Sequence, residues 1–151
     1  MMKNIIISVA VLTALVALPQ SGLRAQAGKT FKGRLSPMPM DLAMAANMAG
    51  GVGSMTAVLN GSTLTLTGTF EGLKTPATVA RLHKAQAGTR GAAVLDLQVT
   101  SGTSGTLSAT IDATPQLIQD LTNSRLYVQL HSEKVPDGHL WGWLLPQEIK
   151  R

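Results

Sequence analysis

The 151-residue chain has no cysteine, only five aromatic residues (two Trp, one Tyr, two Phe) and few charges, 14% of its residues. The first absence removes disulfides, thiolate nucleophiles, Cys-ligated zinc and iron–sulfur clusters, so the fold must rest on its apolar core. The charges are scattered singly, as at Lys29, Lys32 and Arg34, without the basic stripe and interleaved aromatics of a nucleic-acid reader. No nucleic-acid partner is expected, and the mild basicity suits solubility or an acidic partner. Catalytic signatures are missing as well: there is no G-x-S-x-G, no H-E-x-x-H and no glycine-rich phosphate loop leading into a helix. Asp96, Asp112, Asp120 and Asp137 stand singly, at turns or on polar faces, and read as solvated carboxylates. The expectation is a protein that is not an enzyme and needs no cofactor.

What is present begins with an export pattern. Lys3 supplies a positive start, Ile5 to Leu18 is apolar except for Ser8 and Thr13, Pro19 breaks the run, and Ala25-Gln26-Ala27 offers a small-residue cleavage site. The run is short of the roughly 20 residues that span a bilayer. Cleavage after Ala27 is expected, leaving residues 28–151 as a single periplasmic or secreted domain with no transmembrane segment. Without Lys3 and Arg24, 11 of the 13 basic residues face 8 acidic ones, a net charge of +3.

Period-two alternation dominates the rest and predicts strands. In residues 62–71, Leu64, Leu66, Gly68 and Phe70 point one way, and Thr63, Thr65, Thr67 and Thr69 the other. Asn60-Gly61 is a strong hairpin signal, so residues 54–59 form the partner strand. Further strands are predicted over residues 30–35, 78–83, 92–99, 106–111, 125–131 and 139–145. Many short strands separated by turn signals suggest a sandwich or a barrel. One short helix is expected where Thr114 can cap, Pro115 suits the first position and Leu117 pairs with Leu121. Residues 36–53, which hold Met38, Met40, Met44 and Met48, read as a long loop with one helical turn in 41–48. That loop is either a flap over an open end or a Met-rich docking arm using Met38 and Met40.

Four stretches then line up: Phe70-Glu71-Gly72-Leu73, Ala80-Arg81-Leu82-His83, Leu126-Tyr127-Val128-Gln129-Leu130-His131, and Pro136-Asp137-Gly138-His139-Leu140-Trp141-Gly142. Together, over residues 30–146, they resemble the CHRD domain, first described in chordin. The resemblance implies an all-β, immunoglobulin-like Greek-key β-sandwich of about seven or eight antiparallel strands, and a non-enzymatic role. The chain departs from the family pattern in two places. Arg81 stands where the first histidine of an H-x-H pair is expected, and His139 and Trp141 replace a Glu and an Arg.

A register argument sorts the last two strands. If residues 132–138 form the hairpin loop, Leu130 faces Leu140, Val128 faces Gly142, and Leu126 faces Leu144, all inward. The outer face then carries the pairs His131–His139, Gln129–Trp141 and Tyr127–Trp143. Two imidazoles directly opposite could share a metal, with His83 a third ligand beside Arg81. This gives one reading: a copper or zinc site of His83, His131 and His139 on a superoxide-dismutase-like sandwich, although a guanidinium beside it opposes a cation. The preferred reading is an accessory subunit. It would dock onto a larger exported protein or membrane-associated complex, such as a quinoprotein dehydrogenase, through Tyr127, Gln129, Trp141, Trp143 and Arg81. A self-assembling surface or matrix module, built on exposed edge strands, is a third.

Overall fold

A computed structural model describes residues 28–38 and 42–147; the expected export segment, Met40 and the last four residues lie outside them. In chain order the elements are β1 (Lys29–Pro37), α1 (Leu42–Met48), β2 (Val52–Asn60), β3 (Thr63–Glu71), β4 (Ala77–Lys84), β5 (Ala92–Val99), β6 (Gly105–Asp112), α2 (Pro115–Thr122), β7 (Leu126–Ser132), β8 (Val135–Trp143) and β9 (Leu145–Pro146). The predicted strands are all present. The Asn60-Gly61 signal marks a tight hairpin in which Gly61 takes a φ of +60°.

Every pairing is antiparallel, and the order β2-β3-β6-β5-β4-β7-β8-β1 closes on itself because β1 also pairs with β2. The sheet is therefore a closed eight-strand barrel with β9 attached to β1, where the resemblance led us to expect a two-sheet sandwich. Two strands make the closure by changing partners along their length. β1 pairs with β2 over Lys29–Leu35 and with β8 at Ser36 and Pro37. β5 pairs with β4 over Ala92–Leu97 and with β6 only at Gln98 and Val99. Strands that switch sheets in this way form the corners of a flattened barrel.

Alternation delivers the core. Leu64, Leu66 and Phe70 of β3, Leu82 of β4, Leu126, Val128 and Leu130 of β7, and Leu140 of β8 are all buried in one cluster. Burying such a side chain stabilises the fold by roughly 2 kcal/mol each. Helix α2 carries the chain from β6 past β5 and β4 to β7. Thr114 caps it, its hydroxyl accepting from the Leu117 N–H at 3.2 Å, and Leu121 plugs into the core. Two helices are described. The helical turn foreseen in 41–48 is α1, and Met48 at its end is buried.

Candidate functional site

The outer face of β4, β7 and β8 gathers the residues singled out in the sequence. The register places Tyr127 opposite Trp143, Gln129 opposite Trp141 and Leu130 opposite Leu140, as predicted. On the other side of β7, His83 faces Tyr127 and Arg81 faces Gln129. Side chains on this face therefore form rows across three strands. In one row, Tyr127 stacks on His83 at 5.0 Å and on Trp143 at 4.8 Å; diagonally it lies parallel to Trp141 at 5.5 Å. Neither the tyrosine nor the tryptophans belong to the core cluster, so this is a second apolar layer on the outside of the barrel.

That layer is largely covered. Tyr127 is 1% and Trp141 2% exposed, while Trp143 is half-buried. Among the described residues the β4–β5 loop supplies cover. Gly91 donates its N–H to the Tyr127 hydroxyl at 3.1 Å and its carbonyl accepts from His83 Nδ1 at 2.9 Å. Arg90 lays its guanidinium 4.9 Å from the centre of the Trp141 ring, a cation–π contact. At the rim, Arg81 is paired with Asp96 of β5 at 2.9 Å, both partners substantially exposed. The Trp141 indole N–H donates to the Gly138 carbonyl at 3.1 Å, and the Gln129 amide donates to the Asp137 carbonyl.

The expected facing of His131 and His139 is corrected. The β7–β8 turn is tight, with Ser132 opposite Val135, and the register shifts between Leu130 and Ser132 to absorb a bulge at Pro136–Gly138. Pro136 has no N–H for the ladder, and Gly138 adopts a φ of +116° where a Cβ would overlap the Gln129 amide. The Pro136 carbonyl instead accepts from His131 Nδ1 at 2.6 Å. His139 is fully buried and turned elsewhere: its Nε2–H donates to the Gly50 carbonyl at 3.2 Å, so its Nδ1 accepts from the Ser132 hydroxyl at 2.8 Å.

The three imidazoles are thus not brought together. His83 lies four residues along the ladder from the point opposite His131, about 13 Å at 3.3 Å per residue. Among the described residues no group of three or more metal-binding side chains gathers. The two outer histidines do share a feature. Each donates Nδ1–H to a backbone carbonyl, which leaves Nε2 as a bare acceptor, and in both cases that atom is buried without a protein partner, as is the indole N–H of Trp143. Burial pushes His131 below the ordinary imidazole pKa, the positive Arg81 adding to the effect, so it is neutral near pH 7.

The methionines divide. Met48 is core, Met38 is half-buried, and Met40 lies outside the described residues. One polar residue was misread. Asp120, expected to be solvated, is 2% exposed and pairs with Lys84 at 2.7 Å. The Lys84 hydrogen bond holds its carboxyl below the usual range against the opposing effect of burial. Its position in an amphipathic helix next to Leu121 was the available signal, but its partner lies on a distant strand.

Comparison with known protein families finds a match: the model described as the CHRD domain aligns with residues 38–144. No curated protein and no solved structure matches the chain.

Proposed function

The chain belongs to the CHRD domain family, and from that premise we propose that it is a non-catalytic, exported binding module. In this reading the face of β4, β7 and β8 docks onto a larger exported protein or membrane-associated complex. The observation that carries the proposal is the set of three buried polar atoms on this face that lack a protein partner: His83 Nε2, His131 Nε2 and Trp143 Nε1. Buried polar groups are nearly always bonded, and a partner that displaces the covering β4–β5 loop would supply these two acceptors and one donor with the bonds they lack. A partly exposed tryptophan beside stacked aromatics is also the composition of a binding hot spot.

The same geometry supports a non-catalytic role. The described hydrogen bonds of the three histidines run to carbonyls and to Ser132, none to a carboxylate, and the buried Asp120 is engaged by Lys84. No described pair thus joins a base to an orienting acid. A Greek-key relation to the sandwich is part of the same proposal. The spatial order β7-β4-β5-β6, with α2 as the long return connection, follows the Greek-key order, and a barrel flattened at two corners approaches a sandwich.

Affinity capture from the exported fraction tests the docking reading. The bait is the wild-type protein beside Trp143→Phe, which keeps the ring and removes the donor, and His131→Phe. The reading expects a partner in fixed ratio with wild type and its loss with both variants while their circular dichroism stays native. A partner retained by both correctly folded variants would contradict it.

A further inference from the structure

The loop between β4 and β5, Ala85 to Gly91, is built unlike the strands it joins. Its apolar side chains are Ala85 and Ala87 alone, Gln86 to Arg90 are all exposed, and none of its residues belongs to the core cluster. The loop closes on itself: the Thr89 N–H and hydroxyl both donate to the Gln86 carbonyl, at 3.0 and 2.8 Å. Gly88 at the tip takes a left-handed φ of +83°, with nothing within 4 Å of where a Cβ would stand. The result is a small preformed turn that touches the barrel at its two ends. At one end the Ala85 N–H donates to the Arg125 carbonyl at 2.8 Å. At the other, Gly91 is bonded to Tyr127 and His83, and Arg90 rests on Trp141.

Contacts of this kind open readily. Two hydrogen bonds and one exposed cation–π pair each contribute little net against water. A segment with so few buried apolar contacts opens locally, without the rest of the fold. The closed arrangement also carries a cost: on the face it covers, His83 Nε2 and Trp143 Nε1 are buried without a protein partner. Against this, Tyr127 and Trp141, 1% and 2% exposed, lose cover when the loop lifts, so the closed form prevails in the free protein. Gly91 sits at the hinge. A Cβ there would lie 1.8 Å from the Lys84 carbonyl oxygen, so the closed loop rejoins β5 through a passage that only glycine fits.

We propose that Ala85–Gly91 is a lid over the aromatic layer, lifting as one body between its tied end at Ala85 and its hinge at Gly91. Closed, it withholds Tyr127, Trp141 and His83 from a partner. Arg90 and Gly91 then occupy, from within the chain, the ring face and the polar atoms that docking needs, so the closed loop is autoinhibitory. This use of the lid rests on the docking reading above, whereas the opening itself needs no partner.

Amide exchange and tryptophan quenching on the free protein test it, each variant being read at the part of the lid that it does not touch. Wild type exchanges the Gly91 amide through an opening that low denaturant leaves unchanged, while the amides of β7 wait for the barrel to unfold. Arg90→Ala removes the contact on Trp141, yet speeds Gly91 exchange, corrected for the intrinsic rate, about threefold because the opening is shared. Gly91→Ala wedges the loop off Lys84 and makes the two tryptophans, both on this face, more open to quenching by acrylamide. A Gly91 amide that exchanges only together with β7 overturns the proposal. So does an Arg90→Ala protein, native by circular dichroism, in which that amide keeps its wild-type rate, or a folded Gly91→Ala protein whose tryptophans stay as shielded as before. Neither readout uses a partner, so a failed affinity capture bears on the docking reading alone.

Discussion

At one corner of the barrel β1 leaves β2 for β8; at the other β5 leaves β4 for β6. The first corner is finished by the chain itself. Gly33 and Gly142 let the two strands approach so closely that an added Cβ would lie 2.7 Å from the Trp143 carbonyl oxygen or 2.5 Å from that of Arg34. β9 then lays Leu145 and Pro146 along β1 opposite Lys32 and Phe31, and Gln147 donates to Thr30. Among the described residues the second corner has no such strap. β6 stops pairing with β5 at Ser108, and α2 passes by on its way to β7. The difference teaches where closure comes from: strand alternation fills the interior of both corners, but only a local backbone device seals an edge.

Breaking the sealed corner has the largest expected effect. Gly142→Val forces β8 away from the Arg34 carbonyl and costs about 3 kcal/mol, a melting temperature lower by about 10 °C in a thermal scan. Next is the tie that holds α2 near the open corner. Lys84→Ala leaves the Asp120 carboxylate buried without its cation, and chemical denaturation at neutral pH will show a loss of about 2 kcal/mol. The pH dependence follows from the sign of the shift. Asp120 has a lowered folded pKa, so its contribution is present above about pH 3.9 and disappears as pH falls through the folded value; Asp120→Asn flattens that acid limb.

Removing residues 145–151 unzips the strap and exposes the Phe31–Lys32 edge. A loss of about 1–2 kcal/mol is expected, with faster amide exchange at β1 and little change at β5. Smaller again is the effect of His131. Its folded pKa is lowered, so the unfolded chain takes up a proton first: stability falls as pH drops below about 6.5 and levels off beneath the folded value. His131→Asn removes this slope in melting curves between pH 7 and 5. The smallest effect is at Val94, 45% exposed at the open corner, where Val94→Thr changes stability by less than about 0.5 kcal/mol.

Much of the fold was readable because the leucines keep strict period two. The pairs Leu130–Leu140 and Tyr127–Trp143 follow from alternation once the two strands are joined as a hairpin, and with them the external aromatic layer. Alternation fails where the count changes. Pro136-Asp137-Gly138 inserts a bulge, and that one irregularity separates His131 from His139 and removes the geometry of a shared metal site. Closure was not legible either. A sandwich and a barrel have the same strand pattern, and closure rests on β1 and β5 changing partners along their length. The cover of the aromatic layer was missed for a similar reason. Gly88 and Gly91 mark a loop, but nothing local says that it folds back over Tyr127. Asp120 shows the limit for charge, since its partner Lys84 lies 36 residues earlier.

The contrast between a sealed and an unsealed corner is tested most directly by residue-resolved amide hydrogen exchange. The account predicts slow exchange at 31–35 and fast exchange for those amides of 92–96 that do not pair with β4. Equal protection at both corners would contradict it.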